Sequence, residues 1–138
     1  MKRIFLIILT LLTFGIGNAI AKSPCVELKA NPDEFKKWKV VETLQKSRYV
    51  FIKTVVNPDP SAEIKAVIYI IGPFQETDAN GKASIKFDVI RFCYLDKGMV
   101  KDFFYCPNCK CWHRAMVSPD VAVNLTMRLL KALDGKTS

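Results

Sequence analysis

The residues best suited to chemistry lie together in one stretch of the sequence. It reads Cys106-Pro107-Asn108-Cys109-Lys110-Cys111-Trp112-His113-Arg114 and contains three of the five cysteines and the only histidine. Thiolates and imidazole act as nucleophiles, redox groups and metal ligands. We therefore expect any thiol or metal chemistry of this protein to take place in this cysteine-rich stretch.

Redox chemistry is one hypothesis for the stretch. The segment Cys106-Pro107-Asn108-Cys109 is similar to the C-x-x-C motif of thioredoxin-like oxidoreductases, a spacing that allows a reducible disulfide and a lowered pKa of the first thiol. The resemblance implies a thiol–disulfide redox protein in which Cys106 and Cys109 are catalytic and Cys111 resolves a mixed disulfide. It covers these four residues only, and the motif here follows a predicted strand instead of opening a helix.

Metal binding is a second hypothesis. Cys106, Cys109, Cys111 and His113 offer four soft or borderline ligands. The Cys-Pro-x-Cys segment is similar to the knuckle of many zinc ribbons, where a turn directs two sulfurs at one tetrahedral ion. This resemblance implies a zinc-stabilised binding module with these four residues as ligands, although the sequence lacks the second, distant knuckle of a ribbon. Apart from zinc in this alternative, we expect no cofactor.

The start of the sequence predicts the compartment. Lys2 and Arg3 precede an almost wholly apolar run from Ile4 to Ile16, and Ala19-Ile20-Ala21 suits a signal peptidase. These are the parts of a secretory signal peptide, residues 1–21, so we predict a single exported domain, residues 22–138, that is periplasmic or secreted. The apolar run is short for a bilayer span, which needs roughly 20 residues, so we expect no membrane span after cleavage.

Export favours a third, structural hypothesis for the cysteines. In an oxidising compartment paired thiols are the default. The disulfide candidates are Cys25, Cys93, Cys106, Cys109 and Cys111. Two of the three clustered cysteines would pair and hold the loop, and the third would be free or bonded to a partner, because an odd number of thiols cannot pair completely.

Hydrophobic periodicity and turn signals predict the elements that position these residues. We expect a helix over about 32–46, strands over about 49–56, 63–72, 83–95 and 99–105, and a helix over about 119–134. Further expectations are N-caps at Asn31 and Ser118, a central second strand that Gly72-Pro73 interrupts, and a bulge at Val89-Ile90. Short loops imply an antiparallel meander. We therefore predict a two-layer α+β fold with an N-terminal helix, a four-stranded antiparallel meander and a C-terminal helix.

This meander predicts where the cysteines lie. Cys93 should face Lys101 or Asp102 across a hairpin, more than about 10 Å from the cysteine-rich stretch and too far from it for a disulfide. A long first helix would place Cys25 near Cys93, so we predict a Cys25–Cys93 disulfide. The alternative is that Cys93 is a buried free thiol. The cysteine-rich stretch itself is expected on the crossing from the fourth strand to the last helix.

Composition narrows the function. The formal net charge is +8, spread along the chain without the aromatic-interleaved basic stripe of nucleic-acid-binding proteins. The sequence contains no glycine-rich phosphate loop, nucleophile elbow or paired histidines. We therefore predict an exported, periplasmic binding or accessory protein, such as a subunit of an envelope or secretion assembly, rather than an enzyme. The expected partner is another protein of the cell envelope or an acidic surface, and not nucleic acid.

Overall fold

A computed structural model describes residues 24–135 of the chain. The predicted signal peptide, residues 1–21, lies outside the described residues and stays a prediction. The described elements are α1 (Pro32–Phe35), β1 (Lys39–Ser47), β2 (Val50–Val56), β3 (Ala66–Thr77), β4 (Ala83–Asp96), β5 (Met99–Cys106), β6 (Cys111–Ala115) and α2 (Pro119–Leu133). Neither helix of this described part is long and apolar enough to cross a membrane.

The six strands form one antiparallel sheet in the order β1-β2-β3-β4-β5-β6, so each strand pairs with its neighbours along the chain. The predicted fold, a four-stranded meander between an N-terminal and a C-terminal helix, is wrong. The described chain is mostly a six-stranded sheet with two short helices. The additional strands are β1, where the sequence predicts a helix, and β6, where it predicts a loop.

The helix predicted over 32–46 ends after one turn. Asn31 caps it as predicted and accepts a hydrogen bond from the Asp33 N–H at 2.8 Å. However, α1 stops at Phe35 and β1 follows shortly after. Three β-branched residues in the first half of β1 favour a strand. The apolar spacing of this segment also fits a helix, but pairing with β2 stabilises it as a strand.

The central part of the sheet follows the sequence more closely. β3 lies between β2 and β4, as predicted for the second strand, but it continues through the expected interruption at Gly72-Pro73. The predicted bulge is confirmed, because the register of β3 and β4 shifts there and leaves Ile90 as an additional residue in β4. A Cβ atom on Gly72 would lie 2.9 Å from Ile90 Cδ1. Glycine at position 72 therefore leaves room for the side chain of the bulge.

Both faces of the sheet are covered, which makes three layers instead of the predicted two. One face, here called the arm face, packs against α1 and the arm that precedes it, residues 24–31. Its fully or almost fully buried residues include Phe35, Val55, Val67, Tyr69, Phe92 and Phe103. The opposite face, called the helix face, packs against α2, and its buried residues are Ala66, Ile68, Cys93 and Leu129. Successive residues of a strand point to opposite faces, so each face has its own core.

An ion pair joins the residue after α1 to β4. Lys36 Nζ donates to Asp88 Oδ1 at 3.0 Å. Partial burial raises the pKa of the Asp88 carboxyl, but hydrogen bonds from Lys36 and from the Val89 N–H outweigh burial and hold this pKa below its ordinary value of 3.8. The folded protein therefore favours the charged form of Asp88.

Candidate functional site at the β5–β6 hairpin

The cysteine-rich stretch forms a β-hairpin and not a crossing to the last helix. Cys106 ends β5, Cys111 begins β6, and the two residues lie directly opposite each other. The Lys110 N–H donates to the Cys106 carbonyl at 2.8 Å, and Lys110 has a φ of 56°, in the left-handed region. The turn therefore keeps side chains that are close in sequence close in space.

The structure bonds Cys111 to Cys25, with the two Cα atoms 5.8 Å apart. The predicted Cys25–Cys93 disulfide is therefore wrong. The arm starts at the outer edge of the sheet, where the Val26 N–H donates to the Trp112 carbonyl of β6 at 2.9 Å. The prediction required a long first helix to carry Cys25 towards Cys93. Because β1 replaces most of that helix, the arm begins beside β6 instead.

Cys93 lies on β4 opposite Asp102, as predicted, and its thiol is free and buried. The alternative prediction for this residue is therefore confirmed. Burial raises the pKa of Cys93 to about 12, and the nearby Asp102 carboxylate acts in the same direction. Cys93 thus serves as a packing residue of the helix face and forms little thiolate.

Cys106 and Cys109 are free thiols of the hairpin turn, and Cys109 is exposed. The Cys109 N–H points at Cys106 Sγ, with nitrogen and sulfur 3.0 Å apart. The Cys109 thiol, together with the backbone N–H groups of Cys109 and Asn108, lowers the pKa of Cys106. The same thiol–thiol hydrogen bond raises the pKa of Cys109. Cys106 is therefore the sulfur that carries negative charge more readily.

His113 is buried on β6 and its ring is held in one orientation. The ring lies 6% exposed, stacks on Phe104 with centroids 5.5 Å apart, and places Nδ1 3.1 Å from the Pro24 carbonyl oxygen. A carbonyl oxygen can only accept, so Nδ1 donates to it. Nε2 lies 3.5 Å from Cys111 Sγ. The histidine therefore directs Nε2 towards the Cys111 sulfur.

The hairpin brings together all four residues that the sequence singles out. Cys106 Sγ, Cys109 Sγ and a ring nitrogen of His113 lie within 4.8 Å of one another, and the sulfurs of Cys25 and Cys111 form a second such group with His113. For Cys25, a predicted disulfide candidate, sequence reasoning gave the wrong partner, because its position depends on the path of the arm. The arrangement has two accessible thiols, one fixed imidazole and one disulfide.

A groove beside the hairpin has no counterpart among the predicted site residues. It has a volume of about 710 Å³ and runs between α2, the start of β5 and the segment after β6. Its exposed apolar side chains include Met99, Met116, Val123 and Met127, and we call it the methionine groove. Met116 is 94% exposed, and Met127 and Met99 are 64% and 62% exposed. These three side chains are therefore available to a partner.

A signal for this groove was present in the sequence of α2. The predicted apolar face of the helix, which includes Leu125 and Leu129, packs on the sheet. Val123, Met127 and Leu130 form a second apolar stripe at helical spacing, and all three are exposed. A helix with two apolar stripes has more apolar surface than one sheet can cover.

The charged side chains along this surface are mainly basic. Arg114 is the one charged residue that lines the methionine groove within the described chain. Arg128 and Lys131 border the adjoining depression around Met127 and Leu130, and Asp134 is its one acidic residue. Arg128 pairs with Glu42 at 2.8 Å, and the Arg114 guanidinium lies over the Phe103 ring on the arm face. Among the described residues of this surface, Lys131 is therefore the basic side chain available to a partner.

The chain matches no protein-family model, no curated protein and no solved structure, so its function has to be inferred from the geometry of the hairpin and of the methionine groove.

Proposed function

We propose that the protein is an exported binding or accessory protein that holds an apolar segment of a partner protein in the methionine groove. The observation that carries this proposal is the exposure of Met99, Met116 and Met127 around one open groove of about 710 Å³. Methionine is unbranched and polarizable, so it adapts its shape to an apolar ligand. Clustered exposed apolar side chains of this kind mark interaction sites more often than they mark ordinary surface.

The occupant that fits best is an amphipathic helix with acidic residues beside its apolar stripe. The exposed stripe of Val123, Met127 and Leu130 repeats at helical spacing, which suits helix-on-helix packing along α2. Lys131, which borders the adjoining depression, would face an acidic residue of such a partner. The net charge of +8 would repel a second copy of this chain, so it favours a different protein as the occupant.

Two synthetic peptides and two variants test this proposal. The first peptide is an amphipathic helix of leucine and glutamate, and the second replaces every glutamate by lysine. We expect fluorescence anisotropy to show binding of the glutamate peptide only. The double variant Met116→Ser/Met127→Ser should weaken that binding at least about 10-fold, which corresponds to about 1.4 kcal/mol. The variant Ile85→Ser is the matched control, because Ile85 is 61% exposed but does not line the groove.

Four results would overturn the proposal. Equal binding of both peptides would show that charge does not select the partner. An equal loss of peptide binding in the Ile85→Ser variant would show that the groove is not the binding site. A concentration-dependent dimer in sedimentation that Met116→Ser/Met127→Ser abolishes would assign the groove to a second copy. Binding to anionic lipid vesicles in place of the glutamate peptide would assign it to an acidic membrane surface.

The low pKa of Cys106 favours thiol–disulfide exchange as a second candidate function. In this reaction the Cys106 thiolate attacks a disulfide of a partner protein and forms a mixed disulfide, while the other partner sulfur leaves as a thiolate. The deprotonated Cys109 then attacks Cys106 Sγ, which releases the second partner thiolate and leaves a Cys106–Cys109 disulfide. Cys111 was the predicted resolving thiol, but its bond to Cys25 gives that role to Cys109.

Insulin reduction with dithiothreitol tests this second function. The protein should accelerate the reaction, Cys106→Ser should abolish the acceleration, and Cys93→Ala should keep it, because Cys93 is buried away from the hairpin. A wild-type protein that gives no acceleration while its two hairpin thiols remain titratable would exclude the redox function.

A further inference from the structure

We infer that the β5–β6 hairpin is a zinc site in which Cys106, Cys109 and His113 are the protein ligands. The methionine groove takes no part in this site, whereas thiol–disulfide exchange would use the same two thiols, so bound zinc would block that reaction. Two thiolates and one imidazole form a donor set that zinc prefers, and three protein ligands leave one position open on a tetrahedral ion.

The distances between the ligand atoms suit one metal ion. Cys106 Sγ, Cys109 Sγ and a His113 ring nitrogen all lie within 4.8 Å of one another. Around a tetrahedral zinc ion, with Zn–S of about 2.3 Å and Zn–N of about 2.0 Å, ligand atoms lie about 3.6–3.8 Å apart. The ligand atoms therefore lie within about 1.2 Å of the separations that one zinc ion requires.

The backbone of the turn already supports a negatively charged sulfur. The Cys109 N–H lies 3.0 Å from Cys106 Sγ. The left-handed conformation of Lys110, with a φ of 56°, lets the chain turn back so that both cysteines lie on the same turn. The hairpin is therefore preorganised, and binding would not have to fold a loop around the ion.

His113 has the second partner that metal-binding histidines usually need. Its Nδ1 lies 3.1 Å from the Pro24 carbonyl oxygen, which fixes the tautomer and leaves Nε2 as the donor to a metal. The ring is 6% exposed and stacked on Phe104, so its orientation is held by packing. This buried imidazole, with Nδ1 held by a carbonyl oxygen and Nε2 directed at a sulfur, is the observation that separates a metal site from a pair of surface thiols.

The Cys25–Cys111 disulfide controls the fourth position. Cys111 Sγ lies 3.5 Å from His113 Nε2, close to the separation of about 3.6 Å expected for sulfur and nitrogen on one zinc ion. While Cys111 is bonded to Cys25, water or a ligand from outside takes the fourth position. When the disulfide is reduced, Cys111 becomes available as a fourth ligand, so zinc should bind more tightly to the reduced form.

Cobalt(II) is the probe for the test, because tetrahedral thiolate coordination gives cobalt intense visible absorption and a thiolate-to-metal charge-transfer band. We expect the disulfide-bonded protein to bind one cobalt ion per chain, with displacement by zinc. Cys106→Ser and Cys109→Ser should each remove most of the charge-transfer band, and His113→Gln should weaken binding at least about 10-fold. Cys93→Ala should bind as the wild type does, and circular dichroism should confirm that every variant is folded.

The fourth ligand is tested by a matched pair of variants. Cys25→Ser frees Cys111 and should bind zinc at least about 10-fold more tightly than the disulfide-bonded protein, whereas Cys25→Ser/Cys111→Ser should lose that gain. Equal affinity of these two variants would overturn the role of Cys111. No visible cobalt band in the folded wild type, or a band that survives in Cys106→Ser/Cys109→Ser, would overturn the site itself and leave the peptide-binding proposal unaffected.

Discussion

Removing the Cys25–Cys111 disulfide should lower the free energy of unfolding by about 4.5 kcal/mol. The bond closes a loop across a sequence separation of 86 residues. In the chain-entropy estimate, the cross-link removes about 15 cal/mol/K from the unfolded state, which gives about 4.5 kcal/mol at 25 °C. This bond also holds the arm beside β6, so its loss should affect the arm face more than the helix face.

The assay is urea unfolding of the double variant Cys25→Ala/Cys111→Ala, which leaves neither cysteine as a lone thiol. If the free energy of unfolding falls by about 1.5 kcal/mol per molar urea, the urea concentration at the midpoint of unfolding should fall by about 3 M. The control is Cys106→Ala/Cys109→Ala, which removes the same number of sulfurs from the same hairpin without removing a disulfide. Its midpoint should change by less than about 0.7 M, equivalent to about 1 kcal/mol.

Two results would refute this reasoning. A loss below about 1 kcal/mol in Cys25→Ala/Cys111→Ala would mean that the bond adds little to the folded state. Peptide mapping of the oxidised wild type that links Cys25 to Cys93, Cys106 or Cys109 would refute the connectivity on which the estimate depends.

Three further predictions follow from burial and charge. Phe35→Ala should lower the free energy of unfolding by about 3–5 kcal/mol in urea, because the Phe35 ring is fully buried between the arm and the sheet. A disulfide reagent at about pH 8 should modify Cys106 and Cys109 in the folded protein but Cys93 only after unfolding, because Cys93 is buried and its pKa is about 12. Since the folded pKa of Asp88 lies below 3.8, its charge stabilises the protein above that pH, and the contribution is lost as the pH falls through the folded pKa. Asp88→Asn should therefore reduce the acid-induced loss of stability between about pH 7 and pH 3 by no more than about 1 kcal/mol.

Each of these predictions has its own contrary outcome, and the first also has a control variant. Phe87→Ala is the control for Phe35, because Phe87 is 55% exposed, and equal losses in the two variants would contradict the assigned core. Rapid labelling of Cys93 in the folded protein would contradict its burial. A steeper acid-induced loss in Asp88→Asn than in the wild type would contradict the sign of the pKa shift.

Features that depend on a few neighbouring residues could be predicted from the sequence. The caps at Asn31 and Ser118 are confirmed, since both side chains accept a backbone N–H of the first turn. The bulge at Ile90 follows from a local change in the apolar alternation. In each case the residues that give the signal and the feature that they predict are close neighbours in the sequence.

Features that depend on distant pairing could not be predicted in the same way. The segment 39–47 has an apolar spacing that fits a helix, and only the neighbouring strand β2 decides that it is β1. The proximity of Cys106, Cys109, Cys111 and His113 follows from their closeness in sequence, but the position of Cys25 does not. Its partner depends on how the arm crosses the sheet, and the incorrect helix led directly to the incorrect Cys25–Cys93 pair.

The Cys25–Cys111 bond also divides the described chain into a covalent ring and a free tail. The ring, residues 25–111, contains the strands β1 to β5, whereas α2 lies wholly beyond it. The strands inside the ring cannot separate far even when their hydrogen bonds break, but α2 can leave the helix face without any covalent bond being broken. Amide hydrogen exchange should therefore show α2 opening at a lower free energy than β3 and β4. Such an opening would expose Ile68 and Leu129 and would remove the α2 wall of the methionine groove while the ring stays closed.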